Sequence, residues 1–101
     1  MSPDERDRSQ APGELSRCRS EISRVDGEIV NLLRERIELA RQAARLKHEQ
    51  GFPILDPARE AEVIRSAVAL ARNAGLAEEP VREIFWQILG LSRKAQQSGE
   101  A

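Results

Sequence analysis

Tyrosine is absent from the 101 residues, and Phe52, Phe85 and Trp86 are the only aromatic side chains. Ala, Leu, Ile, Glu and Arg dominate instead, a helix-forming composition, and no alternating strand pattern appears. Cys18 is the single cysteine, which excludes an internal disulfide and fits a cytoplasmic protein. One histidine and no clustered ligand spacing exclude a recognisable metal site. No charge predominates: 16 basic residues face 17 acidic ones, a net charge of −1, so neither nucleic acid nor an anionic membrane is expected as partner. Long apolar runs are missing too, so no segment is expected to cross a bilayer. The opening MSPDERDRSQAPG lacks the apolar core of a secretory signal. No solenoid-type repeat is visible.

What is present is a heptad-like stripe. Leu15, Cys18, Ile22, Val25, Ile29, Leu32, Leu39, Ala43 and Leu46 alternate at three- and four-residue spacing, with Arg36 occupying one position of the series. The pattern predicts one helix over residues 14–50, ended by Gly51 and Pro53. Such a helix is ~55 Å long at 1.5 Å per residue, too long to bury its seam against the rest of so short a chain, so a second copy is expected to cover it. Asp56-Pro57 predicts the N-cap and first residue of a second helix, with Val63, Ile64, Ala67, Val68 and Ala71 inward and a stop at Gly75. A third helix starts at Glu78-Glu79-Pro80, its apolar side marked by Val81, Ile84, Phe85, Ile88, Leu89 and Leu91. The expected architecture is therefore all-α: a disordered lead over 1–13, a domain of one long and two short helices over 14–97, and a tail over 98–101, the long helices interlocking in a homodimer.

The charged residues on apolar faces carry the chemistry. A cation on a buried seam is costly unless something negative meets it. Arg36 and Lys47 lie eleven residues apart, about 20° from the same helix face and ~16 Å apart along the axis. Arg19 shares that face but lies ~25 Å from Arg36, too far to grip the same small molecule; an antiparallel partner would carry its own Arg19 there. Three cations lining an apolar groove suit a small dianion, with Arg forks for carboxylates and Lys as a point charge. Each also has an ordinary reading. Arg36 can pair with Glu28, Glu35 or Glu38, Lys47 can serve the helix dipole and Arg19 can be solvated. Asp56 is a cap in either case, Arg59 and Glu60 are ordinary first-turn charges, and Ser92 and Gln96 can be an exposed flank. His48 is expected in solvent and Cys18 in the core.

Three stretches in order, "LSRCRSEISRVDGEIVNLLRERIELARQAARLK", "ILDPAREAEV" and "IFWQILGLSRKAQQ", resemble the all-helical chorismate mutase family over about residues 14–97. The resemblance implies an intertwined homodimer with two active sites, each lined by both chains and requiring neither metal nor cofactor. It implies that Arg36 and Lys47 meet Arg19 of the partner, that Asp56, Arg59 and Glu60 form the corner of the site, and that Ser92 and Gln96 face it from the last helix. The reaction implied is the Claisen rearrangement of chorismate to prephenate, with Arg19, Arg36 and Ser92 on carboxylates and Lys47 and Gln96 donating to the ether oxygen. Asp56 and Glu60 would meet the C4 hydroxyl, with Arg59 steadying the corner.

One position departs from the family pattern. Ala43-Ala44 stands where family members often carry a β-branched residue and glycine, so Ala43 trims the wall expected to face the ring. That leaves 4-amino-4-deoxychorismate as an alternative substrate, since Asp56 can pair with an ammonium as well as with a hydroxyl. An isochorismate pyruvate lyase of the same fold fits Arg59, Glu60 and Ser92 less well. The non-enzymatic alternative is a helical dimerisation module with Arg36 as a specificity device on the seam.

Overall fold

The computed structural model describes residues 12–98, and its three helices are α1 (Pro12–Gln50), α2 (Pro57–Asn73) and α3 (Glu78–Ser98). Among the described residues there is no strand. Residues 1–11 and 99–101, which hold most of the expected lead and tail, lie outside the described residues. Helix α1 takes in Pro12 and Gly13, two residues earlier than the spacing suggests. Proline is at home in a first helical turn, where its missing N–H loses no bond.

Both corners follow from local chemistry. At the end of α1, Gly51 adopts φ 75°, its N–H donates to His48 O at 3.2 Å, and the Phe52 N–H donates to Lys47 O at 2.8 Å. At the end of α2, Gly75 adopts φ 74°, donating to Arg72 O at 3.2 Å while Leu76 donates to Ala71 O at 2.8 Å. These are paired reverse bonds of the Schellman type, and the left-handed residue they need carries little penalty only as glycine. Asp56 caps α2: its Oδ1 accepts from the Arg59 N–H at 3.1 Å, and Pro57 takes the first helical position. Arg72 then forks onto Glu78 at 3.0 and 3.1 Å, closing the turn between α2 and α3. That ion pair raises the Arg72 pKa and lowers that of Glu78, mainly through the hydrogen bonds themselves.

The chain divides into two units, residues 1–34 and 35–101. The described part of the first is helix throughout, and most of its large apolar residues are bare: Ile22, Ile29 and Leu32 keep 59%, 49% and 62% of their accessible surface. Cys18, expected in a core, is exposed for the same reason, because no other element of this unit covers that face.

The second unit contains the core. Ile64 and Val68 of α2 pack on Leu89 of α3, flanked by the partly buried Val63 and Phe85. Ala67, Ala71 and Ala95 are buried, as is Ala44 near the end of α1. Ile84 and Leu91, expected inward on α3, are exposed, as are Leu39 and Leu46 on α1. On α3 the face that meets α2 runs through Phe85 and Leu89, and Ile84 and Leu91 fall to its sides. With so few large side chains buried, each counts: Ile64→Ala is expected to cost ~2–5 kcal/mol through lost burial and the cavity left behind. Thermal or urea unfolding followed by circular dichroism measures it.

Candidate active site

The last four turns of α1, the corner after it, the first turns of α2 and the last turns of α3 line a cavity of about 360 Å³ within the second unit. Arg36, Ala43, Lys47, Asp56, Arg59, Glu60, Ser92 and Gln96 all line it, with Leu39, Ala40, Ile54, Val63, Leu89 and Arg93. Of the predicted site residues, Arg19 alone is elsewhere, exposed on the N-terminal part of α1. A second cavity, about 390 Å³, is lined mainly by Arg41, Ala44, Arg45, His48 and Glu49 and shares Ile54 and Gln96. Its polar groups are mostly exposed side chains of one helix, whereas the first draws its polar groups from three helices.

Each polar group has an evident reason for its position. Arg36 is partly buried and donates from Nη1 to Ser92 Oγ across the α1–α3 contact. Ser92, only 6% exposed, is the buried polar residue of the described core. Among the described residues no carboxylate pairs with Arg36, so the expectation that Glu28, Glu35 or Glu38 neutralises it is not met. Burial lowers the Arg36 pKa, and the positive charge of Arg59 lowers it further. Both causes disfavour an unpaired guanidinium, and the attraction of an anion that enters offsets both.

Lys47 lies beside the α1–α2 corner, where its Nζ donates to Ile54 O at 3.1 Å. An ammonium has three donors, so two remain for other partners. Gln96 donates from Nε2 to Ala40 O at 3.2 Å, leaving its second N–H and its carbonyl. Asp56 spends one oxygen on the α2 cap. Arg59 pairs with Glu62 at the rim, in an exposed bridge. The floor is apolar, formed by Leu39, Ala40, Ala43, Ile54, Val63 and Leu89. No buried side-chain nitrogen or oxygen among the described residues lacks a partner.

Arg93 is not among the residues that the sequence pattern marks for the site. It lines the cavity and donates from Nη1 to Glu60 Oε1 at 2.7 Å, bridging α3 to α2. The signal that singles out Arg36 is present here as well, since Arg93 follows Leu89 by four residues on the same stripe as Phe85.

Cations from all three helices therefore surround an apolar floor, with the carboxylates of Asp56 and Glu60 at the α2 end. The chorismate mutase type II family model matches residues 18–97, which includes every residue of the cavity. The chain belongs to the chorismate mutase type II family. Membership makes it an isomerase of the chorismate mutase type and accounts for its all-helical fold. No curated protein matches the chain in sequence. Among the described residues there is no helix long and apolar enough to cross a membrane, and no group of side chains that could hold a metal ion.

Proposed function

We propose that the cavity rearranges chorismate to prephenate, breaking the C–O bond of the enolpyruvyl ether as a C–C bond forms on the ring. The observation that carries this reading is the unneutralised Arg36, held by Ser92 over an apolar floor beside Lys47 and Gln96. The reaction is unimolecular and needs no nucleophile. The protein has only to hold a flexible dianion in a chair-like, near-attack shape and to stabilise developing charge. Arg36 and Ser92 take one carboxylate. The spare donors of Lys47 and Gln96 meet the ether oxygen, which becomes negative as its bond to the ring lengthens. Chorismate's neutral hydrogen-bond donor is the C4 hydroxyl, so the carboxylates of Asp56 and Glu60 meet it there, with Arg59 over the rim.

The second carboxylate is met by Arg19 of a second protomer. Support comes from the bare apolar residues of the first unit, Ile22, Val25, Ile29 and Leu32. Contiguous apolar surface on this scale is where protein partners bind, and in an isologous dimer the contacts are reciprocal, so an Arg19 that reaches one site has its counterpart at the other. On this reading the protein works in the cytoplasm as a homodimer without a cofactor.

The test is direct. Purified protein incubated with chorismate is expected to consume it, and a dianionic bicyclic mimic of the transition state is expected to raise the melting temperature, because a ligand that binds only the native state stabilises it by mass action. No turnover and no thermal shift would leave a helical dimerisation module as the better description.

A further inference from the structure

Arg93 has no part in the steps above, yet its pair with Glu60 sits at the end of the cavity where the ring substituent is placed. Glu60 is 23% exposed and Arg93 37% exposed, and their oxygen and nitrogen are 2.7 Å apart. Holding Oε1 of Glu60 in this way leaves Oε2 for one further donor. A C4 hydroxyl supplies one such donor and brings no charge. An ammonium at C4, even with Asp56 beside it, shares Glu60 with a guanidinium already on it and comes close to a like charge, a repulsion that water screens only in part at these part-buried side chains.

Net charge argues in the same direction. Arg36, Lys47, Arg59 and Arg93 line the cavity against Asp56 and Glu60, four cations to two carboxylates, and the partner's Arg19 would add a fifth cation. An excess of positive charge favours the ligand with the larger negative charge: chorismate, with two carboxylates and a neutral hydroxyl, over its 4-amino analogue, whose ammonium cancels one of them. We propose that Arg93 is a specificity-determining residue that, by occupying Glu60, selects a C4 hydroxyl over a C4 ammonium. This rests on the mutase reading of the cavity.

The experiment compares kcat/KM for chorismate and for 4-amino-4-deoxychorismate in wild type, Arg93→Leu, Arg93→Gln and Arg93→Lys. The ratio within one protein is unaffected by how much of a sample is folded, so a merely structural role for the bridge would not move it. Wild type is expected to favour chorismate. The ratio is expected to fall by about tenfold or more in the Leu and Gln variants, since ~1.4 kcal/mol of differential charge interaction is a factor of ten, and to stay near wild type in Arg93→Lys. An unchanged ratio in the uncharged variants, or a wild-type preference for the amino substrate, overturns the proposal while leaving the mutase reading intact. Failure of the wild type to rearrange either substrate overturns both.

Discussion

Arg36→Ala is expected to lower kcat/KM for chorismate by about a thousandfold, while helix content by circular dichroism stays at the wild-type level. Truncating one partner of a desolvated, hydrogen-bonded charge pair costs ~2–5 kcal/mol, and each ~1.4 kcal/mol of barrier is a factor of ten. The structural loss is limited to the Ser92 hydroxyl, left without this partner at a cost of ~1–3 kcal/mol, because Arg36 meets the protein there rather than through an ion pair. Removing it even relieves the repulsion with Arg59 that lowers its pKa. Arg36→Lys should recover only part of the activity, since a point charge cannot reproduce a two-pronged contact with a carboxylate. The same variant tests the shared site. Mixed in equal amounts with Arg19→Ala and allowed to exchange, Arg36→Ala chains should yield about a quarter of wild-type activity, because half the dimers are mixed and each mixed dimer of a two-fold assembly rebuilds one of its two sites. If mixed dimers form and remain inactive, the two arginines do not serve one centre.

Gln96 gives the second large effect. Gln96→Ala is expected to lower kcat by about 10²–10³, the usual result of removing one pre-placed donor to a developing oxyanion. The pH dependence separates this role from simple packing. A glutamine amide donates at every pH, so wild-type activity should hold toward alkaline pH without a step from residue 96. In Gln96→Glu the donor exists only while the carboxyl is protonated. Activity should then survive at acid pH and fall about tenfold per unit as pH rises past the carboxyl's pKa, starting from an ordinary carboxylate value of ~4.3 or above it if the site is dry. A variant with an unchanged, flat profile would remove Gln96 from the ether oxygen. The bond from Gln96 to Ala40 O suits the amide to this role, because the contact with α1 fixes the side chain's direction and leaves a donor to spare.

The parts of this molecule legible from the chain are those decided within a few residues. Asp56-Pro57 announces a capped helix because the cap bond spans three residues, and Gly51 and Gly75 announce helix ends because the reverse bonds there span five. Arg36 and Lys47 could be placed on one face because helical geometry carries over eleven residues. Contacts between helices follow another logic. Arg93 and Glu60 are separated by 33 positions, and their meeting depends on the register of α3 against α2. The same register puts Ile84 and Leu91 in solvent although both fit an apolar helical face. Cys18 shows a different difficulty. Its periodicity marks a face suited to burial, but periodicity does not say whether the covering surface belongs to the same chain. Ser92 is instructive in the opposite direction: a hydroxyl that reads as a surface flank is buried because Arg36 gives it a partner.

The corner after α1 ties both ends of Lys47. Its carbonyl accepts the Phe52 N–H, and its ammonium holds the carbonyl of Ile54, just before Asp56 opens α2. An added or deleted residue between positions 47 and 56 would therefore break a backbone turn and shift two groups of the cavity at once. The turn between α2 and α3, residues 74–77, contributes no wall to the cavity. Drift in loop length over evolution should thus be concentrated at the second connection, and grafting a tag or reporter there, rather than at the first, should respect the spacing on which the cavity depends.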